Sequence, residues 1–364
     1  MEKIRTVAKH IPTAVWVIVC VFAVSVLLHV SFMLSVNFSD LYCRTAGSFF
    51  RGVAATVTNP FPMSLAEALL ISLPFILVYL CIKAIGTNGE MREVVRLLSG
   101  IVSVGLLAYS LFVLTFAAGF YASPVETYFG LEKRNITVDE LYEAAMITVD
   151  GVNGAYAEIE GRGPASTSIG MSVDEMNDLL LDSFGELYGE YGFPAMLNSR
   201  VKPVVLSHPM TYTHISGIYS YFTGEANINV NYPDFVIPYT AAHELSHQRG
   251  VSREDEANFV AFLVCIKSDD PYVRYSGYLN MYQYMSSALY SVSYERYAEL
   301  ADQLNDGVKA ELIAYSNFFD RYRDNVAADI SDAVNDTYLS VMSGTDSRSY
   351  GMVVDLATVY LLGE

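Results

Sequence analysis

Three long uncharged stretches mark the N-terminal part of the chain. No Asp, Glu, Lys or Arg lies between Lys9 and Asp40, between Glu67 and Lys83, or between Arg96 and Glu126. A helix needs about 20 apolar residues to cross the hydrocarbon core of a bilayer. The pattern therefore predicts three transmembrane helices, at about 14–34, 66–85 and 97–120.

The first stretch has an alternative interpretation. Lys3, Arg5 and Lys9 precede it, as basic residues precede the apolar core of a secretory signal. The stretch is long for a signal and has no clear small-x-small cleavage site, which favours a membrane span.

Basic residues near the ends of the spans predict their orientation, because such residues favour the cytoplasmic side. They precede the first span and surround the connection between the second and third: Lys3, Arg5, Lys9, Lys83, Arg92 and Arg96. We therefore expect a multi-pass plasma-membrane protein, in contact with the lipid bilayer, whose residues 121–364 are extracytoplasmic. Arg44 and Arg51 oppose this asymmetry. An interfacial helix over residues 43–57 would hold them at the level of the lipid headgroups.

After residue 120 the pattern changes to that of an extracellular, mostly helical domain. Capping boxes at Thr137–Glu140 and Ser172–Glu175 predict helices over 138–159 and 173–189.

Short β-like segments follow at 201–206, 217–222 and 225–231, which indicates a small β-sheet. The fold class is therefore α+β. From about residue 271 the pattern is helical again, and we expect a helical C-terminal subdomain there.

Most of the acidic side chains lie after the apolar N-terminal part of the chain. The net charge is −18, although 52% of the residues are hydrophobic. Residues 1–119 carry 8 of the 22 basic and 5 of the 40 acidic side chains, which leaves 14 basic and 35 acidic, or −21, for the rest. Nucleic-acid binding depends on Lys and Arg that neutralise phosphates, so we expect no nucleic-acid partner.

The most informative motif is His243-Glu244-Leu245-Ser246-His247, which has the form H-E-x-x-H. Residues four apart share one face of a helix, so both imidazoles can point at one metal ion. Pro238 suits the first turn of such a helix, and Gly250 suits the position just past its end. Glu244 is then placed as the general base that takes a proton from a water molecule at the metal, for which Zn²⁺ is the expected ion.

A third ligand is expected from the next predicted helix, because catalytic zinc commonly takes three protein ligands. That helix begins near Glu254 and contains Glu256 two residues later. On a helix these two side chains point about 160° apart. Only one of them can bind the metal, and the spacing alone leaves both open.

The segment Glu254-Asp255-Glu256-Ala257-Asn258 resembles the third-ligand pattern E-x-x-A-D or E-x-x-A-N of the glutamate zincins. This resemblance implies a zincin-like domain in which Glu254 is the metal ligand and Glu256 the fallback. It also implies that Asn258, one turn after Glu254, orients a histidine ligand through the free ring nitrogen.

The stretch from Phe222 through the H-E-x-x-H motif to Phe259 is also similar to an uncharacterised family of bacterial membrane proteins, domain of unknown function 3810. The resemblance covers nearly the whole chain, including the predicted spans. It implies a membrane-anchored, zinc-protease-like protein and defines no substrate.

Together these features predict a membrane-anchored zinc metallopeptidase that hydrolyses peptide bonds with water, with Glu244 as general base. Zinc proteases of this type commonly hold a peptide along a sheet edge. Residues 225–231 are the candidate for that edge, and an ordinary covering strand is the other interpretation. The alternative function is a catalytically inactive metal-binding envelope protein with a structural or ligand-binding role. Glu244 favours the enzyme, because a structural site needs no base.

Overall fold

The computed structural model describes residues 7–132, 134–160, 167–323, 325–329, 331, 333 and 349–363. In chain order, its N-terminal part contains α1 (Thr13–Leu34), α2 (Val36–Tyr42), a π-helical turn (Cys43–Gly47), α3 (Ser48–Thr58), α4 (Leu65–Gly86) and α5 (Met91–Thr115). Helices α1, α4 and α5 are long and apolar enough to cross a membrane. The three apolar helices predicted from the sequence are therefore confirmed.

The third of these helices ends earlier than predicted. α5 stops at Thr115, and residues Ala117–Phe120 form a 3₁₀ turn instead of a last α-helical turn. A Cβ added at Gly119 would lie 2.2 Å from Ser252 Oγ. The backbone leaves the helix here because it packs against the domain that follows, so the predicted end at residue 120 is too late.

Arg51, which the sequence places at the level of the lipid headgroups, is buried inside the protein. It is 3% exposed, and its guanidinium donates to the carbonyls of Thr115 at 3.1 Å and Cys43 at 3.0 Å. Thr115 is the last residue of α5, and a helix C-terminus presents unpaired carbonyls and a partial negative charge. The arginine therefore caps the third apolar helix. Arg44, by contrast, is exposed.

The rest of the chain is mostly helical around a small sheet. Its elements are α6 (Glu126–Phe129), α7 (Val138–Glu158), α8 (Val173–Tyr191), β1 (Lys202–Pro203), α9 (Ser207–Thr211), β2 (Gly217–Ser220), β3 (Glu225–Ile228), α10 (Val236–Gln248), α11 (Glu254–Ile266), α12 (Pro271–Val292), α13 (Tyr294–Asp302), α14 (Asp306–Phe319) and α15 (Ser349–Leu362). A mostly helical fold with a small sheet is confirmed.

Helices α7 and α8 begin where the sequence places them. The hydroxyls of Thr137 and Ser172 accept hydrogen bonds from the backbone N–H of Glu140 and Glu175. Each glutamate carboxylate in turn accepts from the backbone N–H of its cap residue. Because these bonds satisfy donors that a helix start leaves unpaired, both starts are readable from local sequence.

The strand β3 is the centre of the sheet. The strand order is β1-β3-β2, with β1 parallel and β2 antiparallel to β3. All four residues of β3 are buried. β3 pairs with β2 along its whole length and with β1 at Asn227 and Ile228, which leaves little edge open to a peptide along 225–231. Within the described residues, no strand pairs with the other side of β2, which is the free edge of the sheet.

One apolar core holds the helices and the sheet together. Val149 of α7, Leu180 of α8, Phe262 of α11 and Leu279 of α12 are all fully buried within it. Residues of α15 belong to the same cluster. The described helices after residue 271 therefore pack into the core that α7 and α11 also form.

Two carboxylates fix α4 to the sheet. Glu225 of β3 accepts from the backbone N–H of Leu65 at 3.0 Å and Ala66 at 2.9 Å, and Lys202 Nζ lies 2.7 Å from the same carboxylate. Glu67, in the first turn of α4, accepts from two backbone N–H groups just after β1, at 3.0 and 2.7 Å. The membrane part and the sheet are thus joined by buried charge-assisted hydrogen bonds, which are the stronger kind.

Candidate metal centre

Helix α10 carries both histidines of the H-E-x-x-H motif on one face. The ring centroids of His243 and His247 lie 4.6 Å apart. Glu254, the first residue of α11, faces both rings: its Oε2 lies 3.2 Å from His243 Nε2, and its Oε1 lies 3.5 Å from His247 Nε2. One ligand atom from each residue lies within 4.8 Å of the others. The structure thus brings the three predicted ligands together.

This donor set fits a zinc ion. Tetrahedral zinc with bonds of about 2.0–2.2 Å to nitrogen and oxygen places neighbouring ligand atoms about 3.4 Å apart. The two carboxylate–imidazole separations, 3.2 and 3.5 Å, bracket that value, and all three ligand atoms lie within 4.8 Å of one another. Two imidazoles and one carboxylate leave a fourth position for water, as catalytic zinc sites do. The Glu254 side chain is 35% exposed.

Glu256, the fallback ligand, points elsewhere. Its Oε1 accepts from Arg253 at 2.6 Å and from the backbone N–H of Val125 at 3.1 Å. Burial raises the pKa of Glu256 to about 7, against the opposing effect of Arg253. The two carboxylates diverge as the helical angle between them requires, and Glu254 is the one that reaches the histidines.

Asn258 does not orient a histidine as the zincin resemblance implied. Its side-chain oxygen accepts from the Tyr239 hydroxyl at 3.3 Å. The Val251 carbonyl lies 2.7 Å from His247 Nδ1 instead, and such an acceptor holds the proton on Nδ1 and leaves Nε2 for a metal. Within the described residues, His243 Nδ1 is buried and has no hydrogen-bond partner.

Glu244 lies between the candidate ligands and the sheet. It is 5% exposed, and the nearby backbone N–H of Tyr219 in β2 favours its ionised form. Burial raises the pKa of Glu244 to about 7, although the neighbouring imidazoles oppose this shift. A general base is most effective when its pKa lies near the operating pH.

The glycine that starts β2 allows the strand to approach Glu244. A Cβ added at Gly217 would lie 2.6 Å from Glu244 Oε1. Asn229 N–H donates to the Ser216 carbonyl, and antiparallel ladders alternate between bonded and non-bonded pairs. The backbone groups of Gly217 and Tyr219 therefore point away from β3. The free edge of the sheet runs directly beside the candidate base.

The charges of the three ligands support one another. Burial alone would lower the pKa of His247, but the Glu254 carboxylate outweighs it and raises that pKa to about 9. Desolvation likewise opposes ionisation of Glu254, but the imidazoles of His247 and His243 outweigh it and hold its pKa far below the usual range. The Glu254 carboxylate and the two imidazoles therefore stabilise each other's charged forms.

Phe116 is a part of this site that the sequence did not predict. Its ring packs edge-on against the His247 ring, with centroids 5.7 Å apart, and its carbonyl accepts from Ser252 Oγ at 2.8 Å. An apolar residue inside a predicted span looks like any lipid-facing residue, so no local signal marks Phe116. Gly217 had a usable signal, because glycine in a β-like segment often marks close approach by another group.

The fold and the site define a protein with three apolar helices able to cross a membrane and a His-His-Glu group able to hold a divalent ion. The chain belongs to the family of proteins of unknown function DUF3810, whose model matches residues 42–358. The matched region contains α4, α5, the sheet and all three candidate ligands. No curated protein and no solved structure matches the chain.

Proposed function

We propose that the chain is a membrane-anchored zinc peptidase that hydrolyses peptide bonds on the extracytoplasmic side of the plasma membrane. One observation carries this proposal: the buried carboxylate of Glu244 lies beside a three-ligand group and against a free strand edge. A site built only to bind a metal needs neither the base nor the edge.

The residues divide the chemistry between them. His243, His247 and Glu254 would hold the zinc ion, which when bound supplies a Lewis acid that polarises the scissile carbonyl and acidifies water. Glu244 would take the proton of the attacking water and deliver it to the leaving amine.

The free edge of β2 would hold the substrate as an extended strand. Added strands bind through main-chain hydrogen bonds, which are independent of sequence. A peptide on this edge passes beside Gly217 and Tyr219, and therefore beside Glu244. This replaces residues 225–231 as the proposed substrate strand.

Zinc content and casein hydrolysis of the detergent-solubilised protein test the proposal. Glu244→Gln keeps the side-chain volume but removes the base, so hydrolysis should fall by about 10²–10⁴-fold while zinc stays bound. His247→Ala should lose both zinc and hydrolysis. The matched control is Glu158→Gln, at a glutamate 60% exposed and paired with Arg274, which should change neither. Full hydrolysis by Glu244→Gln would reject the assigned base.

A different result would support the alternative function. Zinc bound without Glu244-dependent hydrolysis would identify a catalytically inactive metal-binding envelope protein. The low exposure of Glu244, 5%, is the observation that favours this alternative, because a buried base must become accessible before it can act on water beside a substrate.

A further inference from the structure

The third apolar helix ends directly against the candidate metal centre. Thr115 closes α5, and the next residue, Phe116, contacts the His247 ring. Arg253, which precedes the ligand Glu254, donates to the carbonyls of Phe120 at 3.0 Å and Ala122 at 2.9 Å. The segment that leaves the membrane part is therefore hydrogen-bonded to the start of the ligand helix α11.

The length of α5 indicates where this contact would lie relative to a bilayer. Its uncharged part, residues 97–115, rises about 28 Å at about 1.5 Å per residue. The hydrocarbon core of a bilayer is about 30 Å thick. If Arg96 lies at one surface, the hydrocarbon ends near Phe116 at the other, so the His247 ring lies within about one helical turn of the lipid.

The substrate edge is attached to the same helix. Thr115 Oγ1 donates to the Tyr221 carbonyl at 3.4 Å, and the rings of Phe112 and Tyr221 lie 5.3 Å apart. Tyr221 follows β2 immediately. The strand that would receive a peptide is thus packed on the last turn of a membrane helix.

The antiparallel strands β2 and β3 and the turn between them form a hairpin. Exposed apolar side chains are found both on α3 and on this hairpin. Phe49 and Val57 on the outer face of α3 are 65% and 63% exposed, and Ile218 and Phe222 of the hairpin are 50% and 46% exposed. The turn between β2 and β3 lies on α3, since a Cβ at Gly224 would meet Ala54 Cβ at 2.7 Å. Exposed apolar residues beside membrane spans indicate contact with lipid.

We infer that the substrates are polypeptides anchored in the same membrane and cut within a few residues of the bilayer surface. This inference rests on the proposed peptidase function. A chain that leaves the bilayer beside α5 enters the free edge of β2 at once and is held there at high effective concentration. A soluble folded protein reaches the same edge of β2 less readily, because it must first fit between the hairpin and the lipid.

Cleavage of matched anchored and free substrates tests this inference. Zinc-loaded full-length protein in lipid nanodiscs receives a casein segment, either free or fused to one membrane-spanning helix through flexible linkers of about 5 or about 40 residues, which span roughly 12 and 35 Å. The short-linker fusion should be cut at least about 100-fold faster than the free segment, the lower end of the gain expected from tethering. The long-linker fusion should lie between them.

The outcomes separate the two proposals. Equal, Glu244-dependent cleavage of free and anchored segments would overturn the inference and leave the peptidase function standing. Faster cleavage of the long-linker fusion than of the short one would also overturn it. No cleavage of any substrate by the zinc-loaded protein would reject the peptidase function and the inference with it.

Lipid contact of the hairpin can be measured without activity. Trp16 is the only tryptophan, so Trp16→Phe gives a background for a single reporter at Phe222→Trp. Lipids brominated near the headgroup should quench this tryptophan strongly. Ile313→Trp, at an exposed residue of α14, is the matched control and should be quenched weakly. Equal quenching at both positions would contradict the placement of the site at the bilayer surface.

Discussion

At the scale of single residues, Gly217 is the most specific test of how the sheet edge meets the base. An added Cβ would lie 2.6 Å from Glu244 Oε1, so Gly217→Ala should displace the carboxylate. A displacement of about 1 Å at a reacting group costs roughly 10² in rate. We expect casein hydrolysis to fall by about that factor while zinc content is unchanged, because the ligands lie on α10 and α11.

The control for this substitution is Gly154→Ala in α7, where nothing lies within 4 Å of the added Cβ. Alanine in a helix interior stabilises by about 0.5–1 kcal/mol relative to glycine. Its activity should equal that of the unchanged protein. If Gly217→Ala is as active as this control, the strand does not position Glu244.

The choice of ligand is a second prediction at the scale of residues. Glu254→Gln should weaken zinc binding by more than about 100-fold. This exceeds the loss expected when a residue that only hydrogen-bonds to a metal ligand is removed. Glu256→Gln should stay within about 10-fold, because Glu256 pairs with Arg253 and not with a histidine. Zinc titration against a competing chelator measures both, and the reverse order would contradict the assigned ligand set.

Local spacing was sufficient to place His243 and His247 side by side, because residues four apart share a face of a helix. It was not sufficient for the groups around them. Val251 lies in the loop after α10 and Phe116 lies just after α5, far earlier in the chain, and no pattern in one segment encodes their contacts with His247. Asn258 illustrates the opposite case. It lies one turn after Glu254 on the same helix, as predicted, but its side chain accepts a hydrogen bond from Tyr239 and not from a histidine.

At the scale of elements, the junction between α4 and the sheet predicts a dependence of stability on pH. Burial opposes ionisation of Glu225, but the hydrogen bonds from Lys202 and from Leu65 outweigh it and lower its pKa below the usual 4.5. A lowered pKa stabilises the folded state above about pH 4.5, and this contribution is lost as the pH falls through the folded-state pKa.

Glu225→Gln should therefore lower the unfolding temperature at pH 7, by the equivalent of about 1–3 kcal/mol for lost charge-assisted hydrogen bonds. The gap between variant and unchanged protein should shrink at about pH 3, where the carboxylate is more protonated. Thermal unfolding in detergent at both pH values measures this. If the difference in unfolding temperature is equal or larger at the lower pH, the proposed role of the Glu225–Lys202 pair is contradicted.

Elements that depend on local chemistry were predicted well, and those that depend on pairing were not. The caps of α7 and α8 lie within four residues of sequence each. The place of β3 at the centre of the sheet depends instead on β1, which lies more than 20 residues earlier in the chain. Strand order is a property of the folded sheet, and alternation along one strand does not reveal it.

At the scale of the whole molecule, the basic residues around the α4–α5 connection predict that it faces the cytoplasm. Cysteines introduced one at a time and labelled in intact cells with a membrane-impermeant maleimide test this orientation. Glu158→Cys should be labelled, and Asn88→Cys, in the turn between α4 and α5, should be protected until the cells are broken. The opposite pattern would place the metal centre in the cytoplasm.

The separation into an apolar N-terminal part and an acidic remainder was readable from composition, because apolar, charge-free runs of this length are typical of helices that cross a bilayer. The docking of the two parts was not readable. This docking depends on two contacts: Arg51 caps the C-terminus of α5, and Glu225 accepts hydrogen bonds from the N-terminus of α4. Each contact joins residues that are far apart in the chain.

The central claim is that His243, His247 and Glu254 bind one divalent ion. X-ray absorption at the zinc edge of the metal-loaded protein tests it most directly. We expect one zinc per chain with two imidazole nitrogens and carboxylate or water oxygens at about 2.0–2.2 Å, and loss of this spectrum in His243→Ala. Zinc retained with an unchanged spectrum in His243→Ala, or no zinc bound by the unchanged protein, would contradict the account.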